Sequence, residues 1–146
     1  LFYLVQPNKA YFGEKDFQQL AIVKKLVTKY HIPVTIIGCP IHREQNGLAM
    51  SSRNERLTQQ NREDATLISR TLFKVKNDFG KKSIQEIVAE VTQIFDNHPS
   101  FTLEYFEIAN AETLITSTEI VEGNKYQAFI AVFINNIRLI DTISLN

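Results

Sequence analysis

Two periods of apolar residues run along this chain, and the change from one to the other falls near Leu57. The unbroken apolar run Leu1-Phe2-Tyr3-Leu4-Val5 predicts a buried strand, ended by Gln6-Pro7-Asn8. Residues 8–13 read as a loop leading into a helix from Asp16 to Tyr30. Leu20, Val23, Val27 and Tyr30 form its inner face, with Lys25 and Lys29 one turn apart outside. Pro33 opens a second apolar strand, Val34-Thr35-Ile36-Ile37, which Gly38-Cys39-Pro40 closes. Strand, helix and strand at this spacing predict a right-handed βαβ unit of a parallel sheet. Ligands of such sheets bind at the carboxyl ends of the strands, where residues 8–16 and 38–54 both fall.

Beyond Leu57 the spacing is helical. Thr58 is placed as an N-cap, and Ala65, Ile68, Leu72, Val75 and Phe79 repeat at three-four spacing along one helix, which Gly80 stops. Ser83-Ile84-Gln85-Glu86 is a capping box opening a second helix that carries Ile84, Ile87, Val88, Val91, Ile94 and Phe95 and ends before Pro99. Three strand-like runs follow, over 101–108, 126–134 and 137–143, the last two joined by Asn135-Asn136, a pair that tolerates positive φ in a tight hairpin. The fold class expected is therefore α/β plus α+β: a terminal βαβ piece over residues 1–54, then a small C-terminal domain, residues 55–146, of helices on an antiparallel sheet. The chain opens without Met and inside an apparent buried strand, which would need neighbours on both sides. The expectation is a C-terminal piece of a longer protein.

Composition narrows the function classes. Sixteen basic residues balance sixteen acidic ones in 146, so no global field favours nucleic acid or an anionic membrane, and an anion site must be local. Phe101, Tyr105, Phe106, Phe129 and Phe133 have no basic residues interleaved and read as core, while Glu104 and Glu107 read as solvent-facing. The lone Cys39 excludes an internal disulfide and fits a reducing compartment, and no apolar run approaches a membrane span, so the cytoplasm is expected.

Two segments carry candidate chemistry. Gly13-Glu14-Lys15-Asp16 lies where a strand-end loop becomes a helix, a place with unpaired amides and a dipole favouring an anion. The plain alternative is Asp16 as N-cap and Lys15 as a solvated charge; Gly13 tilts the balance by allowing close backbone approach. Met50-Ser51-Ser52-Arg53 grades from an apolar end suited to adenine towards hydroxyls and a cation suited to phosphates. His31, His42 and His98 stand in no metal-ligand or triad spacing, so no catalytic or metal-binding residue is assigned.

The segments Phe12-Gly13-Glu14-Lys15-Asp16-Phe17-Gln18-Gln19-Leu20, Ile37-Gly38-Cys39-Pro40 and Gly47-Leu48-Ala49-Met50-Ser51-Ser52-Arg53-Asn54 resemble the pantothenate synthetases, or pantoate–β-alanine ligases. The resemblance continues through Tyr105-Phe106-Glu107-Ile108, Thr113-Leu114 and Arg138-Leu139-Ile140-Asp141. It implies a Rossmann-like nucleotidyltransferase fold and an ATP-dependent ligase, with Mg²⁺, acting on pantoate and β-alanine through a pantoyl adenylate, and a homodimer as the full-length enzyme. It further implies ATP contacts from Gly13, Glu14, Lys15 near the phosphates, Asp16 on the ribose, His42, Met50, Ser51, Ser52 and Arg53, and a pantoate contact from Gln19. Position 42 is commonly small and apolar in that family, and a contact made by the backbone survives the change to His. The family's His-containing ATP motif and first pantoate-binding Gln would lie upstream of Leu1, so this chain alone is expected to be inactive. The competing readings are a non-catalytic adenine-nucleotide-binding module, which has no use for Gln19, and a structural interaction domain built after residue 57.

Overall fold

The computed structural model describes all 146 residues, which divide into two compact units, Leu1–His42 and Arg43–Asn146. The division expected from the sequence lay later, between residues 54 and 55. Residues 43–54 cluster with the second unit because Arg43 pairs with Asp141 and Leu48 enters the second unit's core.

In the first unit the order is α1 (Phe2–Val5), β1 (Lys9–Gly13), a 3₁₀ turn (Glu14–Asp16), α2 (Phe17–Lys29) and β2 (Thr35–Cys39). β1 and β2 pair in parallel from Lys9↔Thr35 to Gly13↔Cys39, with α2 as the crossover. The βαβ unit therefore forms, but its first strand is residues 9–13, expected as loop, and not residues 1–5. The latter make one helical turn, with the amides of Leu4 and Val5 on Leu1 O and that of Gln6 on Phe2 O. A short apolar run has no period that separates strand from helix, and this one, paired to no strand of the chain, satisfies its amides locally. Gln6, at φ 46°, ends the turn. Leu20 is the one buried apolar side chain of this unit; Tyr30, expected on the inner face of α2, is 58% exposed.

The second unit matches its sequence pattern closely. Thr58 Oγ1 accepts from Asn61 N, and the helix it starts breaks once, at Ala65, into α3 (Gln59–Asp64) and α4 (Thr66–Asp78). Thr66 Oγ1 donates to Glu63 O at 2.7 Å, the kind of local side-chain bond that competes with the helical ladder. Gly80, at φ 81°, turns the chain out of α4, and the Ser83–Glu86 capping box opens α5 (Ile84–Asp96). The sheet order is β3 (Phe101–Asn110), β4 (Tyr126–Ile134), β5 (Ile137–Ser144), all antiparallel, with Asn135 at φ 53° in the hairpin. Tyr126, Ala128, Ile130, Val132 and Ile134 alternate along β4 into the core formed with Ile68, Leu72, Ile87, Val91 and Phe95 of the helices.

Lys74 and Lys82 each bridge Asp78 and Glu90, tying the end of α4 to α5. Hydrogen bonds from Lys74 first, and then Lys82, hold both carboxyls below their usual 3.8 and 4.5. Depressed carboxyl values mean stabilisation that is present above the unfolded values and lost as pH falls through the folded ones. Glu90→Gln is therefore expected to flatten the decline in stability on acidification below about pH 4.5, as read by denaturant midpoints. Because the cluster is exposed, salt should shrink the effect. An equally steep decline in the variant would remove the cluster from the acid response.

Candidate functional site

At the carboxyl edge of the parallel pair, the chain leaves β1 at Gly13 and β2 at Cys39, two residues in register. Gly13 has ordinary extended dihedrals, φ −67° and ψ 132°, and a Cβ there would meet nothing within 4 Å. The fold makes no demand for glycine at this point. At Gly38 the space is tighter: a Cβ would come within 2.9 Å of Glu14 Oε1 and 3.1 Å of Leu20 Cδ2, so those side chains would have to shift. Glu14 is thus drawn back over β2, half-buried, while Asp16 is exposed. Asp16 occupies the N-cap position of α2, yet its carboxylate caps no amide. The expected capping bond of Asp16 is therefore not made. Lys15 is half-buried in the same turn, and Gln19 is exposed on the first turn of α2. On the other arm of this edge, beyond β2, His42 is exposed.

Within the second unit, residues 43–54 form a closed loop. Arg43 and Ala49 make an antiparallel bridge, Glu44 N donates to Leu48 O at 2.8 Å, and Gly47 turns the chain at φ 91°. Met50 follows, 49% exposed, and Ser52 and Arg53 are exposed on a 3₁₀ turn (Ser52–Arg56). Ser51 is the N-cap of that turn, its hydroxyl accepting from Arg53 N at 3.2 Å. Ser51 therefore has a local structural task as well as the expected ligand one. Asn54 is buried, 1% exposed, and donates to Glu44 Oε1 at 2.8 Å and Ala49 O at 3.1 Å.

The structure gathers Gly13, Glu14, Lys15, Asp16 and Gln19 on one strand–turn–helix connection, with His42 at the same sheet edge, and presents Met50, Ser51, Ser52 and Arg53 on one turn of the second unit. Sequence reasoning missed Asp141 and Asn54. One signal was available: Leu139, Asp141 and Ile143 alternate along a strand, and a carboxylate between two inward apolar residues requires a buried cation. No comparable signal marks Asn54.

A family model described as pantoate-beta-alanine ligase matches residues 1–144. The chain belongs to that family. A pantothenate synthetase of Flavobacterium psychrophilum is 57% identical over 145 residues, covering 99% of this chain and 51% of that protein. One from Christiangramia forsetii is 50% identical over 146 residues, covering 100% of this chain and 52% of that protein. The crystal structure of pantothenate synthetase from Thermus thermophilus superposes with a TM-score of 0.89 at 36% identity, over 99% of this chain and 52% of that one. A pantoate-beta-alanine ligase from Francisella tularensis, complexed with beta-gamma ATP and beta-alanine, superposes at 0.66 and 27% identity, over 99% of this chain and 46% of its own. The chain spans about half the length of the curated relatives it matches. Its parallel pair and three-stranded antiparallel sheet are those of a pantoate-beta-alanine ligase with a nucleotidyltransferase-type fold.

Proposed function

We propose that this chain supplies part of the active site of an ATP-dependent pantoate–β-alanine ligase. A pantoate carboxylate oxygen attacks the α-phosphorus of ATP, the bond to the β-phosphate oxygen breaks, and pyrophosphate leaves. The amine of β-alanine then attacks the acyl carbon, the bond to AMP breaks and the nitrogen loses a proton, giving pantothenate. Asp16 is the observation that carries the reading: an exposed carboxylate at a helix N-cap that caps nothing, beside Lys15 and beyond a glycine the fold does not require. In the first unit, Asp16 would receive the ribose hydroxyls, Lys15 the phosphates, and Gly13, Glu14 and the backbone at His42 the nucleotide; in the second, Ser51, Ser52 and Arg53 would meet phosphate oxygens and Met50 the apolar adenine end. Nucleotide and β-alanine in the Francisella tularensis relative support the substrate class.

No cluster of three or more His, Cys, Asp or Glu side chains suited to a metal exists in the chain. Mg²⁺ would accordingly be held mainly by the phosphates, as is common for this ion, and would offset their charge. No helix is long and apolar enough to cross a membrane, and we place the enzyme in the cytoplasm. The functional division we retain is residues 1–54 with the nucleotide-binding domain and 55–146 as a C-terminal domain. A homodimer of the whole enzyme, and the inactivity of these 146 residues alone, complete the proposal; the first rests on the family resemblance.

Gln19 tests the substrate assignment, since an adenine-nucleotide module without pantoate has no use for it. Gln19→Ala in the native protein is expected to lower kcat/KM for pantoate by about tenfold or more, because a site built on hydrogen bonds loses strongly when one partner is removed. The KM for ATP should barely change. Equal losses for both substrates in steady-state assays would reject the role.

A further inference from the structure

Asp141 sits on the helix-covered face of β5, its side chain 2% exposed, alternating with Leu139 and Ile143. Arg43 answers its charge with a two-pronged pair, Nη1 donating to Oδ2 at 2.7 Å and Nη2 to Oδ1 at 3.1 Å. Thr142 N donates to the same Oδ1 at 2.8 Å. The guanidinium continues outward: Nη1 donates to Gly47 O at 3.1 Å, and the group lies 5.4 Å over the Phe73 ring. Asp141 thereby holds the turn at Gly47 through Arg43, from 98 positions away in sequence. On the far side of the loop, Asn54 Nδ2 reaches two acceptors, Ala49 O and Glu44 Oε1, which fixes the orientation of its amide. Arg62 Nη2 donates to the same Glu44 oxygen at 3.2 Å. Residues 50–53 are thus strung between two buried anchors, Ala49 at 3% and Asn54 at 1% exposure.

We propose that Asp141, acting through Arg43, is a positioning residue for residues 50–53. It touches no ligand, and it fixes where Arg53 and the Ser51 and Ser52 hydroxyls meet the phosphates. The proposal rests on the assignment of residues 50–53 as the phosphate-side segment. A buried ion pair is a poor source of stability compared with apolar packing, whereas it is well suited to setting one geometry. This pair closes a loop whose apex carries charge and hydroxyls, and it joins that loop to the last strand of the sheet.

Asp141→Asn preserves volume and leaves an oxygen for Thr142 N and Nη2, but sets an NH₂ against the N–H of Nη1. In the native protein, amides of residues 49–54 are expected to exchange hydrogen about tenfold faster, with β4 amides unchanged. Adenylation kcat should fall about ten- to a hundredfold, as small misplacements of a catalytic group do, with KM for ATP moving less than about threefold. Arg43→Lys, which keeps the charge and loses the fork, should shift both in the same direction, and the double variant should be no worse than the larger single one. Unchanged exchange at 49–54 overturns the proposal. So does a uniform rise across the sheet with activity lost only in proportion to folded protein, which would make the pair structural. Faster local exchange with unchanged kcat overturns it by another route, because the clamp would then exist while residues 50–53 would have no phosphate-side role.

Discussion

Given ATP, pantoate, β-alanine and Mg²⁺, the 146 residues alone are expected to release no pyrophosphate above background, whereas the native protein should do so readily. The first unit carries Gly13 to Asp16, His42 and Gln19, yet Leu20 is its one buried apolar side chain. Burial of a Leu side chain contributes roughly 1.5–3 kcal/mol, which is far below the entropy of ordering the residues around it, about 1–2 kcal/mol each. Leu1, Tyr3, Leu4, Val5, Tyr11 and Ile22 are all more than 60% exposed. A nucleotide site on such a unit is expected to be held more loosely than transition-state charge demands. The chain also spans about half the length of its curated relatives. A pyrophosphate-coupled assay decides. Turnover of roughly 1–10³ per second by these residues alone would show that they hold a complete site.

How much the sequence disclosed differs between the units for physical reasons. In the second, local chemistry and tertiary packing agree: Thr58 and Ser83 cap the helices they precede, Asn135 takes the positive φ of its hairpin, and the stripe Ile68, Leu72, Val75 packs where its spacing says. In the first they conflict. Lys9-Ala10-Tyr11-Phe12-Gly13 has no β-branched residue and starts with a charge, so it hides a strand, while the more strand-like run before it coils into a turn. The candidate site was legible where residue type alone suggests chemistry, as at Lys15 and Arg53, and where the family resemblance assigned roles, as at Gln19. It was illegible where a role depends on a distant partner. Nothing near Arg43 announces Asp141, and nothing in Ser51-Ser52 tells which hydroxyl caps the following turn.

Replacing Lys15 or Arg53 by Ala in the native protein is expected to lower the adenylation rate by about 10²–10³, or roughly 2.7–4 kcal/mol of transition-state stabilisation per side chain. Adenylation moves negative charge onto the oxygens of the α-phosphate and the departing pyrophosphate, so a fixed cation gains more from the transition state than from bound ATP. Arg53 is well suited to this task. Its amide is tied to the Ser51 hydroxyl at 3.2 Å, which locks its turn, while the side chain is exposed and its planar fork matches the geometry of phosphate oxygens. Lys15 sits in the turn between Gly13 and α2, where the first amides of the helix add their partial positive charge. Arg53→Lys should recover part of the loss, since charge survives and the planar fork does not, whereas Lys15→Arg should recover less because Lys15 is half-buried in its turn. Single-turnover measurement of adenylate formation, alongside ATP binding by titration, separates the two possibilities. A large rise in the dissociation constant for ATP with an unchanged single-turnover rate would make both residues ground-state anchors and would overturn their assignment to the transition state.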